Sequence, residues 1–193
     1  MYRVYCELTL NLRVKRKQRI PPRNPERLSV PSKQGECWSM DFMSDSNRNQ
    51  RRFRTFNVID DFNCEALGID IAVNLPAGRI TRYLDKLAKY HGYPLKIRVD
   101  NGSEFTGKTF IDWAKSHGIT IDYIQPGSPY QNRYIERLNH TYRIEVLDLY
   151  LFNNLEQARK VTDEWLTIYN TERPHEALNN MTPIEYKALK QAA

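Results

Sequence analysis

PAGRITRYLDKLAKYHGYPLKIRVDNGSEFTGKTFIDWAKSHGITIDYI, residues 76–124, reads as helix, strand, helix, strand. Pro76 opens a helix whose apolar Ile80, Tyr83, Leu84, Leu87 and Ala88 mark one face, and Gly92 stops it. Leu95 to Val99 is a strand. Phe110, Trp113, Ala114 and His117 stripe a second helix ended by Gly118, and Ile119 to Ile124 is a further strand. Upstream, residues 38–44, Phe53 to Asp60 and Glu65 to Val73 are three more strands rich in Val, Ile and Phe. Short polar connections join them at Arg48 to Arg52 and at Asp60-Asp61-Phe62-Asn63. An antiparallel meander followed by alternating strands and helices predicts an α/β domain: a mixed five-stranded sheet flanked by helices.

Outward from this core, Pro126-Gly127-Ser128-Pro129 reads as a loop, followed by a helix that carries Glu136 and runs to about Leu149. A last long helix, capped near Asn154, buries Ala158, Val161, Thr162, Trp165 and Tyr169. At the other end, Val4, Leu8 and Leu12 have the spacing of a short helix, too small to bury a core. Residues 13–36 are basic and contain Pro21, Pro22, Pro25 and Pro31, as an extended linker does. The expected organisation is a basic N-terminal arm over 1–35, a catalytic-type core over 36–150 and a C-terminal helical extension over 151–193.

Charge points to a polyanionic partner. The 29 basic and 23 acidic residues leave a net charge of +6. Arg13, Lys15, Arg16, Lys17, Arg19, Arg23 and Arg27 crowd the arm with only Glu26 opposing them, and Arg48, Arg51, Arg52 and Arg54 form a second cluster. Phosphate contact by the arm would be largely independent of sequence and weaken steeply with salt. Cys6, Cys37 and Cys64 are odd in number and widely spaced, so neither a disulfide framework nor a zinc knuckle is indicated. No apolar run approaches membrane-spanning length and no signal-peptide core opens the chain, which makes a reducing cytoplasm the expected compartment.

Three acids carry the chemistry. Asp41 lies in the apolar run Trp38-Ser39-Met40-Asp41-Phe42, Asp100 ends the strand Ile97-Arg98-Val99, and Glu136 sits on a later helix, with 35 residues between it and Asp100. A carboxylate on one strand, another just past a second strand and a third on a helix can converge on a pair of divalent cations that activate a nucleophile and stabilise a leaving oxygen in phosphoryl transfer. Asp60 and Asp61 are read as turn chemistry with a structural role, and Glu104 as a helix-start acid suited to the helix dipole.

These residues resemble a known pattern. Asp41, then Asp100 in Val-Asp-Asn-Gly-Ser-Glu-Phe, then Glu136 in Gln-Asn-Arg-Tyr-Ile-Glu-Arg-Leu-Asn are similar to the DD(35)E signature of the retroviral integrase superfamily, most closely that of the orfB-type transposases of bacterial insertion sequences. Met40-Asp41-Phe42, Val58-Ile59-Asp60-Asp61-Phe62 and the tail Tyr169-Asn170, Pro174-His175 and Thr182-Pro183 extend the resemblance over essentially the whole chain. It implies a ribonuclease H-like fold, two Mg²⁺ or Mn²⁺ ions on Asp41, Asp100 and Glu136, and cleavage and joining of double-stranded DNA at transposon ends. It also implies self-association on DNA and a place at the nucleoid of a bacterial cytoplasm.

The resemblance also implies that Arg143, seven residues after Glu136, contacts terminal DNA. Its alternative is a surface arginine paired with Glu136 or Asp148. Asn132 is a further candidate DNA contact on the same helix face. Arg133 departs from the small or neutral residue usual at its position, and can grip DNA or compete with metal for Glu136. Such transposases usually begin with a helix-turn-helix region, and residues 1–30 resemble only its exit. A metal-dependent nuclease without joining, and a truncated DNA-binding fragment without catalysis, remain as alternatives.

Overall fold

A computed structural model describes residues 31–125 and 129–191. The expected N-terminal helix and nearly all of the basic arm, including Arg13, Lys15, Arg16, Lys17 and Arg19, lie outside the described residues, as do residues 126–128 of the expected loop.

The three upstream strands are β1 (Cys37–Ser46), β2 (Arg52–Asp60) and β3 (Ala66–Ala72), joined as an antiparallel meander. Then come α1 (Ala77–His91), β4 (Lys96–Val99), a one-turn α2 (Ser103–Thr106), α3 (Lys108–Ser116) and β5 (Thr120–Tyr123). β4 pairs parallel to β1 and β5 parallel to β4, giving one mixed sheet in the order β3-β2-β1-β4-β5. After a 3₁₀ turn at Pro129–Asn132 come α4 (Arg133–Tyr142), a π-helical turn (Arg143–Leu147), α5 (Leu155–Thr171) and α6 (Pro183–Gln191).

The period-two alternation of each strand sorts its side chains onto two faces. Trp38, Met40, Phe56, Val58, Ile97 and Val99 face α1 and α3, where Ile80, Leu84, Leu87, Phe110 and Ala114 complete a buried cluster. Phe53, Ile59, Ile69 and Ile71 face the other way, against Ile135, Leu138 and Tyr142 of α4 and Ala158, Trp165 and Tyr169 of α5. Fully burying one such side chain contributes about 1.5–3 kcal/mol. Close packing of α1 on β3 requires glycine at Gly68, where a Cβ would stand 2.3 Å from the Tyr83 hydroxyl. Gly92, at φ 76°, ends α1 as expected.

Two expectations change. The helix carrying Glu136 does not continue regularly to Leu149. After Tyr142 the turn widens, and the Asp148 amide donates to the Arg143 carbonyl (2.8 Å). That turn directs Arg143 toward β1 and Glu145 toward α5, where Trp165 Nε1 donates to it (2.8 Å) and Arg173 pairs with it. α6 was not anticipated. It starts with a capping box: the Thr182 amide donates to Glu185 Oε2 (2.8 Å), and the Glu185 amide donates to Thr182 Oγ1 (3.2 Å).

Candidate active site

Asp41 sits mid-strand on β1, opposite Asn57 of β2. The parallel register of β1 and β4 sets Ser39 beside Arg98. Two residues further along both chains are Asp41 and Asp100, so the two acids continue one register on neighbouring strands. Asp41 has the parity of Ser39, opposite to that of Trp38 and Met40, and so belongs to the sheet face that α4 covers. Glu136 lies in the first turn of α4, where a negative charge suits the helix dipole.

The electrostatics tie the three together. Burial pushes the Asp41 carboxyl up to about 6, and the charges of Asp100 and Glu136 add to that push; hydrogen bonds from the Phe42 amide and from Asn139 oppose it. Asp41 Oδ1 accepts from the Phe42 amide (2.7 Å) and Oδ2 from Asn139 Nδ2 (2.8 Å). Asn139 Oδ1 in turn accepts from Asn57 Nδ2 (2.6 Å). Asp100 Oδ1 accepts from the Gly102 amide (2.9 Å), and a Cβ on Gly102 would come within 2.9 Å of that same oxygen. A side chain at Gly102 would have to displace that carboxylate oxygen from its present position. Among the described residues no three Asp, Glu, His or Cys side chains stand near enough together to hold a metal ion in their present positions.

The acids set aside in the sequence have other partners. The Glu104 carboxylate receives Arg54 Nη1 at 2.5 Å, which holds it below the usual carboxylate range, while the Arg54 guanidinium lies 4.4 Å over the Phe42 ring. Asp61 pairs with Arg98 at 2.7 Å, with side chains only 0% and 4% exposed. Asp60 accepts from the Gly35 (2.8 Å) and Phe62 (2.9 Å) amides.

Of the candidate DNA contacts, Asn132 is buried just before α4, and its Oδ1 has no partner among the described residues. Arg133 is exposed and lies 5.0 Å over the Tyr134 ring. Arg143 donates to Asp45 Oδ2 (3.0 Å) and to the Ser44 carbonyl (2.9 Å), with Asp148 at 3.8 Å. Its main carboxylate partner is thus Asp45, not Glu136. Sequence reasoning gave no role to Asn139 or Asn57. Asn139 had a signal, since it lies three residues after Glu136 on a shared helix face. Asn57 had none without the strand pairing.

Two family models, each described as integrase core domain, match residues 31–129 and 117–183. The insertion element IS476 uncharacterized 39.2 kDa protein of Xanthomonas euvesicatoria is 39% identical over 97% of this chain and 54% of its own length. The IS407 uncharacterized 31.7 kDa protein of Burkholderia multivorans is also 39% identical, over 100% of this chain and 69% of its own length. The putative transposase InsK of element IS150 in Escherichia coli is 26% identical over 72% of this chain and 50% of its own. The chain therefore spans about half the length of two of these three relatives. Among solved structures, the HTLV-2 integrase catalytic core domain in complex with magnesium aligns with a TM-score of 0.58 at 16% identity, over 81% of this chain and 98% of that one. A chain of the simian T-cell lymphotropic virus intasome in complex with PP2A regulatory subunit B56 gamma aligns with a TM-score of 0.72 at 18% identity, over 89% of this chain and 60% of that one. These structural likenesses identify the fold as ribonuclease H-like.

Proposed function

Because this chain belongs to the integrase core domain family, we propose that it is the catalytic domain of an insertion-sequence transposase. It cleaves a strand at the element's end and joins the freed 3′-hydroxyl to another phosphodiester. The observation that supports this reading is that Asp41 and Asp100 continue one register on neighbouring strands while α4, which bears Glu136, is hydrogen-bonded to Asp41 through Asn139. The raised Asp41 carboxyl, pushed up by burial and by the charges of Asp100 and Glu136, agrees with it. Carboxylate oxygens with uncompensated negative charge suit a hard divalent cation such as Mg²⁺ or Mn²⁺. Asp41, Asp100 and Glu136 would hold two such ions, which when bound activate a water or a 3′-hydroxyl and stabilise the leaving oxygen.

The chain's own groups prepare that site. Asn139 fixes the orientation of Asp41, and the Gly102 amide that of Asp100. Glu136 is exposed in the first turn of α4 and free to turn inward once a cation offsets the repulsion between the acids. Neither described cysteine offers a covalent alternative: burial raises the Cys37 thiol far above its ordinary value and the Cys64 thiol to about 11, so neither is a thiolate near pH 7. Arg143, Asn132, Arg133 and the arm residues Arg13, Lys15, Arg16, Lys17 and Arg19 would bind duplex DNA, and copies of the chain would associate on it. Among the described residues no helix is long and apolar enough to cross a membrane.

Labelled duplexes ending in the element's terminal sequence test the reading. Nicked strands and joined products should both appear with Mg²⁺ and both vanish with EDTA. Nicks without joined products would favour a metal-dependent nuclease. Binding without either would favour a non-catalytic fragment.

A further inference from the structure

A cavity of about 340 Å³ opens beside α4, lined by Arg133, Tyr134 and Arg137 of that helix, Tyr169 of α5, and His175 and Ala177 of the turn beyond it. Its size falls within the roughly 300–1,000 Å³ of small-ligand clefts. Arg137 stands two residues from Asn139, about 200° around the helix, so the cavity lies on the flank of α4 away from Asp41. No carboxylate lines it. Among the described residues neither Arg133 nor Arg137 is ion-paired, although Arg133 Nη2 donates to the Tyr134 hydroxyl (3.2 Å).

His175 supplies a second, independent observation. It is only 7% exposed, and its Nε2 is buried with no partner among the described residues. The ring stands edge-on to Tyr169, 5.0 Å between centroids, and with the ring proton assigned to Nδ1 the unpartnered Nε2 is the acceptor nitrogen. Burial, with the charges of Arg173 and Arg137, holds the imidazole below its ordinary range and therefore neutral at pH 7. Nε2 then presents a lone pair that needs an N–H or O–H donor. The cavity thus offers two guanidinium groups to an anion, one buried acceptor to a hydroxyl or amine, and two tyrosine rings to a planar group.

We propose that this cavity binds one nucleotide, with its phosphate at Arg133 and Arg137, a sugar hydroxyl or base amine at His175 Nε2, and its base against the tyrosine walls. Its source is an unpaired nucleotide of a bound DNA strand or a free nucleotide. The strand source rests on the transposase reading: Arg133 and Arg137 lie about 60° and 100° around α4 from Glu136, on the side away from Asn139, so a strand held at Glu136 can continue around the helix to the mouth of the cavity.

Fluorescence anisotropy of the full 193-residue chain in EDTA tests this, using blunt duplexes and the same duplexes with a short unpaired tail. The tailed duplex should bind about tenfold more tightly, the scale of one base stacked on an aromatic side chain. Ala177 is exposed at the rim, so Ala177→Trp fills the cavity without changing charge or disturbing the core. It should abolish the tail advantage and leave blunt-duplex affinity unchanged. Saturable binding of deoxyadenosine monophosphate, lost in Ala177→Trp and unaccompanied by a tail preference, would identify the free nucleotide as the occupant. Absence of both the tail preference and saturable mononucleotide binding overturns the proposal. No strand is cut in EDTA, so that failure leaves the cleavage reading standing, and a failure of cleavage leaves this result standing.

Discussion

Asn139 Nδ2 donates a 2.8 Å hydrogen bond to Asp41 Oδ2, fastening the helix of the third acid to the strand of the first. Asn57 fixes the orientation of the Asn139 amide from the opposite strand. Asn139→Ala should therefore slow cleavage about 10–100-fold, the scale for losing a partner that orients a metal ligand, and should raise the Mg²⁺ concentration needed for half-maximal rate. It also leaves the buried Asn57 amide unpaired, at a stability cost of about 1–3 kcal/mol. Mg²⁺ titrations of the cleavage rate, beside melting curves, separate the two effects. An unchanged Mg²⁺ requirement would remove Asn139 from the site.

Without metal, the Asp41 carboxyl is a burden on the fold. It keeps its proton to about pH 6 in the folded chain, against an ordinary value of 3.8. Between those values the folded state binds more protons than the unfolded one, so this group's contribution to stability falls as pH rises from about 4 to 6. At one pKa unit per 1.36 kcal/mol, the cost at pH 7 is roughly 1–3 kcal/mol. Asp41→Asn should remove that cost, and the Asn57 and Asn139 amides can flip in series to accept its new donor. In EDTA the variant should melt several degrees above the parent at pH 7 and level with it at pH 4. Equal melting at pH 7 would contradict the assigned electrostatics.

Asp61, read from the sequence as a structural acid beside Asp60, should act through stability alone. Its carboxylate and the Arg98 guanidinium form a buried pair, which Arg98 extends to Asp122 at 3.3 Å. Asp61→Ala leaves the buried arginine with only its longer contact to Asp122 and should cost up to about 3–5 kcal/mol, the scale for breaking a buried ion pair. Cleavage by the variant, corrected for its folded fraction in a denaturant titration, should match the parent. A rate deficit that persists after correction would give Asp61 a place in the chemistry.

Local pattern made most of the scaffold readable. Alternating apolar residues marked the strands, and Pro76 and Gly92 bracketed α1 as their backbone chemistry requires. The Asn154 cap was also legible, and its side chain accepts from the Gln157 amide. α6 is legible only through its start, where Thr182 and Glu185 spell a capping box; its nine residues bury only Pro183, so no apolar stripe marks it. The π-helical turn was out of reach. It depends on where Asp45 and Trp165 fall in space, which no local window contains. The acids themselves stood out through their spacing and surrounding motifs, whereas Asn57 becomes visible only once β2 is paired with β1.

Arg143 is held by Asp45 and the Ser44 carbonyl on β1. Contact with DNA would require that arrangement to open or to share the guanidinium. Arg143→Ala should lower cleavage far more than affinity, since displacing a scissile bond by about 1 Å can cost 10²-fold in rate. Asp45→Asn should release the arginine and modestly tighten DNA binding. Parallel affinity and cleavage measurements check both. Equal proportional losses in Arg143→Ala, or weaker binding in Asp45→Asn, would assign the pair to structure alone.

The most direct measurement is strand cleavage of labelled element ends by Asp41→Asn, Asp100→Asn and Glu136→Gln in Mg²⁺, with DNA affinity measured on the same preparations. Each substitution keeps the side chain's shape and removes one negative charge that a cation needs and DNA repels. The expected result is that all three lose cleavage while binding DNA as tightly as the parent or slightly more so. Cleavage at the parental rate by any one of them would contradict the assignment of Asp41, Asp100 and Glu136 as the catalytic metal site.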